Sequence, residues 1–232
     1  MKNIIITGGT SGIGKEFVET FSSDYNFHIL SSKASKTDSN QNFIKCDLNS
    51  ETEMDKFINF VKKEDIFFNG MVHSAGVTYP QSEKISYDDW EKTLKINFFS
   101  ISYLIDGLKG NMKENSSVVL ISSIGGQLGF AKNPSYQISK ASLIQLTKSL
   151  AVDLQPNIRV NCIAPGYIMT EMTRKSFDDI EINKKIKDRT LLNRWGRTNE
   201  VATVINFLIS DNSSYINGQT INVDGGWSSK GL

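Results

Sequence analysis

The sequence predicts an α/β protein: a doubly wound, seven-stranded parallel sheet in a single domain, residues 1–232, with helices on both faces. Apolar runs of strand length alternate with amphipathic stretches of helical period along the chain. Alternation of this kind implies parallel strands joined by right-handed crossovers, and therefore a sheet covered on both sides. No internal repeat, low-complexity tract or linker divides the chain, and 232 residues is an ordinary length for one domain with a substantial core.

The first strand, 2–7, contains Asn3-Ile4-Ile5-Ile6, mostly β-branched, and runs straight into a glycine-rich turn. A helix over 12–23 follows, amphipathic through Lys15–Phe21. Strands are expected at 27–31 and 42–46. The crossover between them, 31–42, has no apolar face to pack on a sheet and reads as a loop. A helix at 50–63, a strand at 67–74 and a long helix at 86–108 come next. The run Val118-Val119-Leu120-Ile121 marks the fifth strand, 116–122. A helix at 134–153, strands at 157–163 and 219–223, and a helix at 198–209 complete the pattern. The stretch 167–196 is charged and weakly periodic after Pro165-Gly166. It reads as a mobile substrate flap over a site, with a solvated surface insertion as the alternative.

Bulk properties narrow the function classes. A formal net charge of +1 without a basic run argues against a nucleic-acid partner. No stretch approaches the length of a membrane span, and the chain enters a strand without a secretory signal. Cys46 and Cys162 lie far apart, with no Cys or His at metal-ligand spacing, and read as buried thiols in a reducing cytoplasm. With His28 and His73 the only histidines, no metal site is expected.

The turn Thr7-Gly8-Gly9-Thr10-Ser11-Gly12-Ile13-Gly14 carries the first chemistry. Gly8 must turn sharply, Gly12 must let the backbone approach a pyrophosphate, and Gly14 must let helix and strand pack closely. N–H groups at the helix start then face the anion. Alone, such a turn is also an ordinary tight strand–helix connection.

Tyr136 and Lys140 stand four apart in a helical pattern and share one face. Ser123 lies just beyond the fifth strand, at the carboxyl end where open parallel sheets bind ligands. A tyrosine is a poor base at neutral pH, and a nearby ammonium would lower its pKa into the working range. Ser123 could then hold a substrate oxygen. Taken alone, Y-x-x-x-K is commonly a surface pair.

The joint pattern is more specific. In order come the glycine turn, Cys46-Asp47-Leu48, Ala75-Gly76, Asn97, Ser123, Tyr136 with Lys140, Pro165-Gly166, Ser213-Ser214-Tyr215-Ile216-Asn217-Gly218-Gln219 and Val223-Asp224-Gly225-Gly226. Over essentially the full length this resembles the short-chain dehydrogenase/reductase family. The resemblance implies a Rossmann-type domain, a nicotinamide cofactor, and hydride transfer between a carbonyl and an alcohol.

It also implies roles. Tyr136 would be the general acid/base, Lys140 would bind the nicotinamide ribose and lower the tyrosine pKa, and Ser123, rather than its neighbour Ser122, would orient the carbonyl. Asn97 would kink its helix and hold a water that links Lys140 to solvent. Cofactor contacts would come from Gly8, Thr10, Ser11, Gly12, Ile13 and Gly14, from Ser31, Ser32 and Lys33, and from Asp47 (at the adenine) and Leu48. Ser74, Ala75 and Gly76, then Pro165, Gly166, Ile168 and Thr170 (at the carboxamide), would complete the set with Tyr136 and Lys140. His73-Ser74-Ala75-Gly76 departs from the Asn-Asn-Ala-Gly of many members. His73 reads as a strand-end residue hydrogen-bonded within the sheet, because a tyrosine mechanism gives it no proton to move.

Where members that prefer NAD place an aspartate, this chain has Ser31-Ser32-Lys33, which favours NADP(H), with NAD(H) as the alternative. The segments 159–173 and 200–226 resemble 3-oxoacyl thioester (acyl-carrier-protein) reductases. Lys113-Glu114-Asn115-Ser116 and Gln155-Pro156-Asn157 lack the arginines that would meet a carrier protein, so a sugar or polyol dehydrogenase is the alternative. A catalytically silent cofactor sensor or scaffold is the competing class, opposed by the presence of Ser123, Tyr136 and Lys140. The resemblance further implies a homo-oligomer, tetramer or dimer, and Ile138, Leu143, Leu146 and Leu150 give helix 134–153 more apolar positions than one sheet face needs.

Overall fold

Strand β1, Lys2–Thr7, shows why the sheet is covered on both sides: Ile4, Ile5 and Ile6 are each 0% exposed. Successive strand residues point to opposite faces. Ile5 joins one core and Ile4 and Ile6 join another. The computed structural model describes residues 1–32, 40–79 and 86–230.

The remaining strands are β2 (Tyr25–Ser31), β3 (Gln41–Lys45), β4 (Phe68–His73), β5 (Met112–Ile121), β6 (Ile158–Pro165) and β7 (Thr220–Val223). They form one seven-stranded sheet in the order β3-β2-β1-β4-β5-β6-β7, every pair parallel. The order reverses between β1 and β4, which opens a crevice beyond their carboxyl ends.

Helices α1 (Gly12–Thr20) and α8 (Thr198–Ile209) cover one face, where Phe17, Val201, Ile205 and Leu208 pack with Ile4 and Ile6. Helices α2 (Glu51–Lys63), α4 (Ser100–Leu108) and α5 (Pro134–Asp153) cover the other, where Phe57, Ile58, Leu104 and Leu143 pack with Ile5.

Strand boundaries differ from expectation where pairing, rather than apolar content, decides. β2 starts at Tyr25, because Tyr25 and Asn26 pair with Lys2 and Asn3. β5 starts at Met112, which pairs with Phe68 before a register shift. β6 continues to Pro165, held by β7. Asparagines tie the amino ends of four strands together: Asn42 donates to Asn26 (3.0 Å), Asn26 to Asn3 (2.9 Å), and the Asn3 main-chain N–H to the Asn69 side chain (3.1 Å).

The expected helix 86–108 is not continuous. It divides into α3 (Tyr87–Leu94), one π-helical turn at Lys95–Phe99, and α4. The stretch 167–196 contains two further helices, α6 (Arg174–Asp178) and α7 (Ile180–Arg189), where a charged segment without them was expected. It shares a small third core with residues outside it: Ile186 and Trp195 are buried with Ile124 and Trp227, and Tyr167 and Phe177 pack against them.

Candidate active site

A cleft of about 340 Å³ lies along the carboxyl ends of β1, β2, β4, β5 and β6. The glycine turn forms its floor. Gly8 has φ +71°, and a side chain there would strike the main chain of Ala75 at 2.5 Å. A Cβ on Gly14 would collide with the Gly8 carbonyl, so Gly14 serves close packing behind the cleft rather than lining it. Gly12, at φ +52°, has only Thr170 in front of it, at 3.5 Å.

The start of α1 is finished differently from those of α2 and α7. Ser50 and Asp179 each accept a hydrogen bond from an N–H of the first turn, whereas Ser11 makes no side-chain cap bond. The first N–H groups of α1 remain available to an anion, with the helix dipole behind them. These features, two positive-φ glycines and an uncapped helix start on an open cleft, fit a dinucleotide pyrophosphate.

Most of the expected cofactor residues line this one cleft. Gly8, Thr10, Ser11, Gly12 and Ile13 come from the turn, Ser31 and Ser32 from the end of β2, and Asp47 and Leu48 from beyond β3. Ser74, Ala75 and Gly76 follow β4, and Pro165, Gly166, Ile168 and Thr170 follow β6. Lys33 lies outside the described residues. Asp47 is braced, its carboxylate accepting from the Asn49 N–H (2.9 Å) while its own N–H donates to Glu53 (2.8 Å).

Ser123, Tyr136 and Lys140 meet at the wall opposite the glycine turn. The side chains of Ser123 and Tyr136 are hydrogen-bonded to each other, and Ser123 also accepts from the Gly125 N–H at 3.0 Å. The Ser122 hydroxyl donates to the Lys140 carbonyl at 2.7 Å, so it braces α5, and the serine beside Tyr136 is Ser123. Lys140, 4% exposed, donates to the Ile121 carbonyl at 2.8 Å and lies 5.6 Å from the centre of the Tyr136 ring. Burial pushes its pKa down to about 8.

One electrostatic expectation is corrected. The Tyr136 phenol is raised above its ordinary value, because burial outweighs the favourable Ser123 hydrogen bond. A buried ammonium bonded to Ile121 does not by itself bring the phenol into the neutral range.

Asn97 does not line the cleft but stands behind it, fully buried in the π turn. Its side chain accepts from the Val77 N–H (2.8 Å) and donates to the Val77 carbonyl (3.0 Å) and to Ser139 (2.9 Å). It thus couples the loop after β4 to α5. Sequence reasoning missed Val77 and Ser139 in this arrangement, and nothing in their spacing announces it. It also missed Glu171, Met172 and Thr173 at the cleft mouth. Helix α7 was missed too, although Asp179 at its cap and Lys187 and Arg189 in its last turn are the signals that could have found it.

Comparisons with known proteins agree with this geometry. Residues 11–228 match the family described as enoyl-(acyl carrier protein) reductase. A 3-oxoacyl-[acyl-carrier-protein] reductase from Aquifex aeolicus is 34% identical over 96% of this chain and 95% of that protein. Among solved structures, 4-hydroxyisoleucine dehydrogenase complexed with NADH superposes with a TM-score of 0.94 at 27% identity, covering 100% of both chains. The ligand-free aldohexose dehydrogenase from Thermoplasma acidophilum gives 0.91 at 28% identity, covering 99% of this chain and 95% of that one.

Proposed function

Because the chain belongs to the short-chain dehydrogenase/reductase family of oxidoreductases, we propose that it is an NADP(H)-dependent reductase of 3-oxoacyl thioesters. The observation that carries the catalytic part is the convergence of Ser123, Tyr136 and Lys140 on one cleft wall facing a glycine turn. When bound, the nicotinamide dinucleotide supplies hydride-transfer chemistry.

The chain's own residues do the rest. Ser123 donates a hydrogen bond to the substrate carbonyl oxygen and fixes it beside Tyr136. The Tyr136 hydroxyl gives its proton to that oxygen as the carbonyl carbon is reduced. Lys140 holds the ribose hydroxyls, stabilises the phenolate that forms, and returns a proton to it. Asn97 positions Lys140 through Ser139 and Val77. The glycine turn and the start of α1 hold the pyrophosphate, and Thr170 and Ile168 meet the carboxamide.

Ser31 and Ser32, with Thr10 and Ser11, offer hydroxyls to a ribose phosphate where an aspartate would repel it. The thioester assignment is supported by the Aquifex relative at 34% identity. Residues 167–196, which bring Glu171, Met172 and Thr173 to the mouth, act as a mobile substrate flap. Ile138 and Val152, 46% and 65% exposed on α5, support self-association into a dimer or tetramer. Two buried free thiols support a cytoplasmic setting. Among the described residues no helix is long and apolar enough to cross a membrane.

The test is a substrate panel of 3-oxoacyl thioesters, simple ketones, aldohexoses and polyols with NADPH and NADH, followed by absorbance at the reduced nicotinamide band. Thioester reduction with tighter binding of NADPH than NADH is expected, and Lys33→Ala should narrow that ratio. Turnover confined to sugars or polyols overturns the thioester assignment. Absence of turnover despite cofactor binding makes the chain a cofactor sensor.

A further inference from the structure

His73 ends β4 with its side chain fully buried, and both ring nitrogens have partners. Nδ1 lies 2.8 Å from the Thr7 hydroxyl, and Nε2 lies 3.0 Å from the main-chain carbonyl of Asn97. The carbonyl can only accept, so Nε2 carries the proton and Nδ1 accepts from Thr7. The Thr7 oxygen in turn accepts from the Ala75 N–H at 3.3 Å. A directed chain runs from Ala75 through Thr7 and His73 to Asn97. It begins in the loop against Gly8 and ends in the π turn.

That end is where Lys140 is placed. A Cβ on Gly76 would lie 3.3 Å from the Lys140 ammonium and 3.6 Å from the Asn97 side-chain oxygen, so both groups border one small residue. Ser139, adjacent to Lys140, receives the Asn97 amide. We propose that His73 is a positioning residue for the proton relay, holding the Asn97 carbonyl and through it the Asn97–Lys140 arrangement. The inference rests on the catalytic roles assigned above to Tyr136 and Lys140. An imidazole suits the task because its two nitrogens reach two partners on different elements. An asparagine amide overlays Nδ1 and a glutamine amide overlays Nε2, so the two substitutions separate the bonds.

The ring is held neutral: burial first, then the Lys140 charge, push its pKa down to about 3 against the pull of the Asn97 carbonyl. Lys140 is the charged group that faces it, while Thr7, Asn97 and the neighbouring β5 residue Leu120 bring no titrating group.

The experiment compares wild type, His73→Asn and His73→Gln on the panel substrate of highest turnover, with NADPH titrated by fluorescence and melting measured alongside. His73→Asn, which loses the bond to Asn97, should lower kcat by about 10- to 100-fold and move the rate profile to higher pH, with NADPH affinity within about threefold. His73→Gln should restore kcat to within about threefold of wild type. Nitrogen-15 spectra of the two histidines should show one ring in the Nε2–H form, unprotonated down to pH 5. Wild-type kcat and pH profile in His73→Asn, a Gln variant as impaired as Asn, or an Nδ1–H ring overturns the inference. If His73→Asn does not fold, His73→Leu is read the same way, because it fills the site while making no bond to Asn97, and an unchanged kcat and profile there also overturns the inference; the nitrogen-15 tautomer of the wild type is read whichever variant folds. Tyr136→Phe is run beside them. If it stays active, the catalytic reading fails; if it is inactive while His73→Asn is normal, only the role of His73 falls.

Discussion

At the amino end of the sheet, asparagine amides bridge β3 to β2 and β2 to β1, and a main-chain N–H of β1 reaches Asn69 of β4. At the carboxyl end, the same four strands lead into a glycine turn, an uncapped helix start and a cleft with an ammonium in its wall. The amino end resembles the polar ladders of stacked identical strands, in which each amide satisfies the next. Hydrogen bonds there are closed among the protein's own groups, and they contribute stability. At the carboxyl end, N–H groups are left for a ligand, and charged and neutral forms of buried groups are held away from their ordinary pKa values. The contrast shows how one sheet keeps stability and chemistry apart: what one end saturates, the other leaves available.

Substitutions at each end should therefore separate activity from stability. The largest effect belongs to Tyr136→Phe, which should reduce turnover by about 10²–10⁴-fold with cofactor affinity and melting temperature nearly unchanged. A large loss of stability in that variant would break the separation.

Lys140→Met should weaken cofactor binding and move the residual rate profile to higher pH. It should also stabilise the fold at neutral pH. The Lys140 pKa falls from 10.5 to about 8 on burial, so the unfolded chain binds more protons between those values and wild-type stability rises with pH across that window. Denaturant titrations at pH 7 and pH 10.5 should show that rise, at most about 3 kcal/mol, flattened in the variant.

His73 acts at the acid side. Its pKa falls from 6.5 to about 3, so the folded chain binds fewer protons there and stability drops as pH falls below 6.5. The slope contributed is at most about 1.4 kcal/mol per pH unit, and His73→Gln should remove it. Smallest is Asn26→Ala, which deletes a donor and an acceptor at the amino end. Chemical denaturation should register a loss of about 1–2 kcal/mol, with kcat unchanged.

The legibility of these two ends differs as well. Ile4–Ile6 declares a strand buried on both sides, and Tyr136 and Lys140 declare a shared helical face, because each signal is local and periodic. The π turn at Asn97 leaves no period of its own, since one widened turn shifts the pattern by a single residue. Helix α7 hides its apolar side in Ile182 and Ile186 among charged neighbours. The raised Tyr136 phenol depends on burial, which only the assembled wall determines. His73 was legible as a bonded strand-end residue, but its partner in the π turn was not, because that contact joins elements 24 residues apart.

The stretch that carries α6 and α7 is fastened at its own base. Ile168 and Gly196 form a parallel bridge, with Met169 donating to the Gly196 carbonyl at 3.0 Å and Gly196 to the Tyr167 carbonyl at 2.9 Å. A loop whose ends are already joined can change length at little entropic penalty, because closure depends only weakly on the number of residues enclosed. Residues 169–195 thus form a loop whose two ends stay joined whatever its length, so a change in the number of residues between them is absorbed at the surface and not at the sheet.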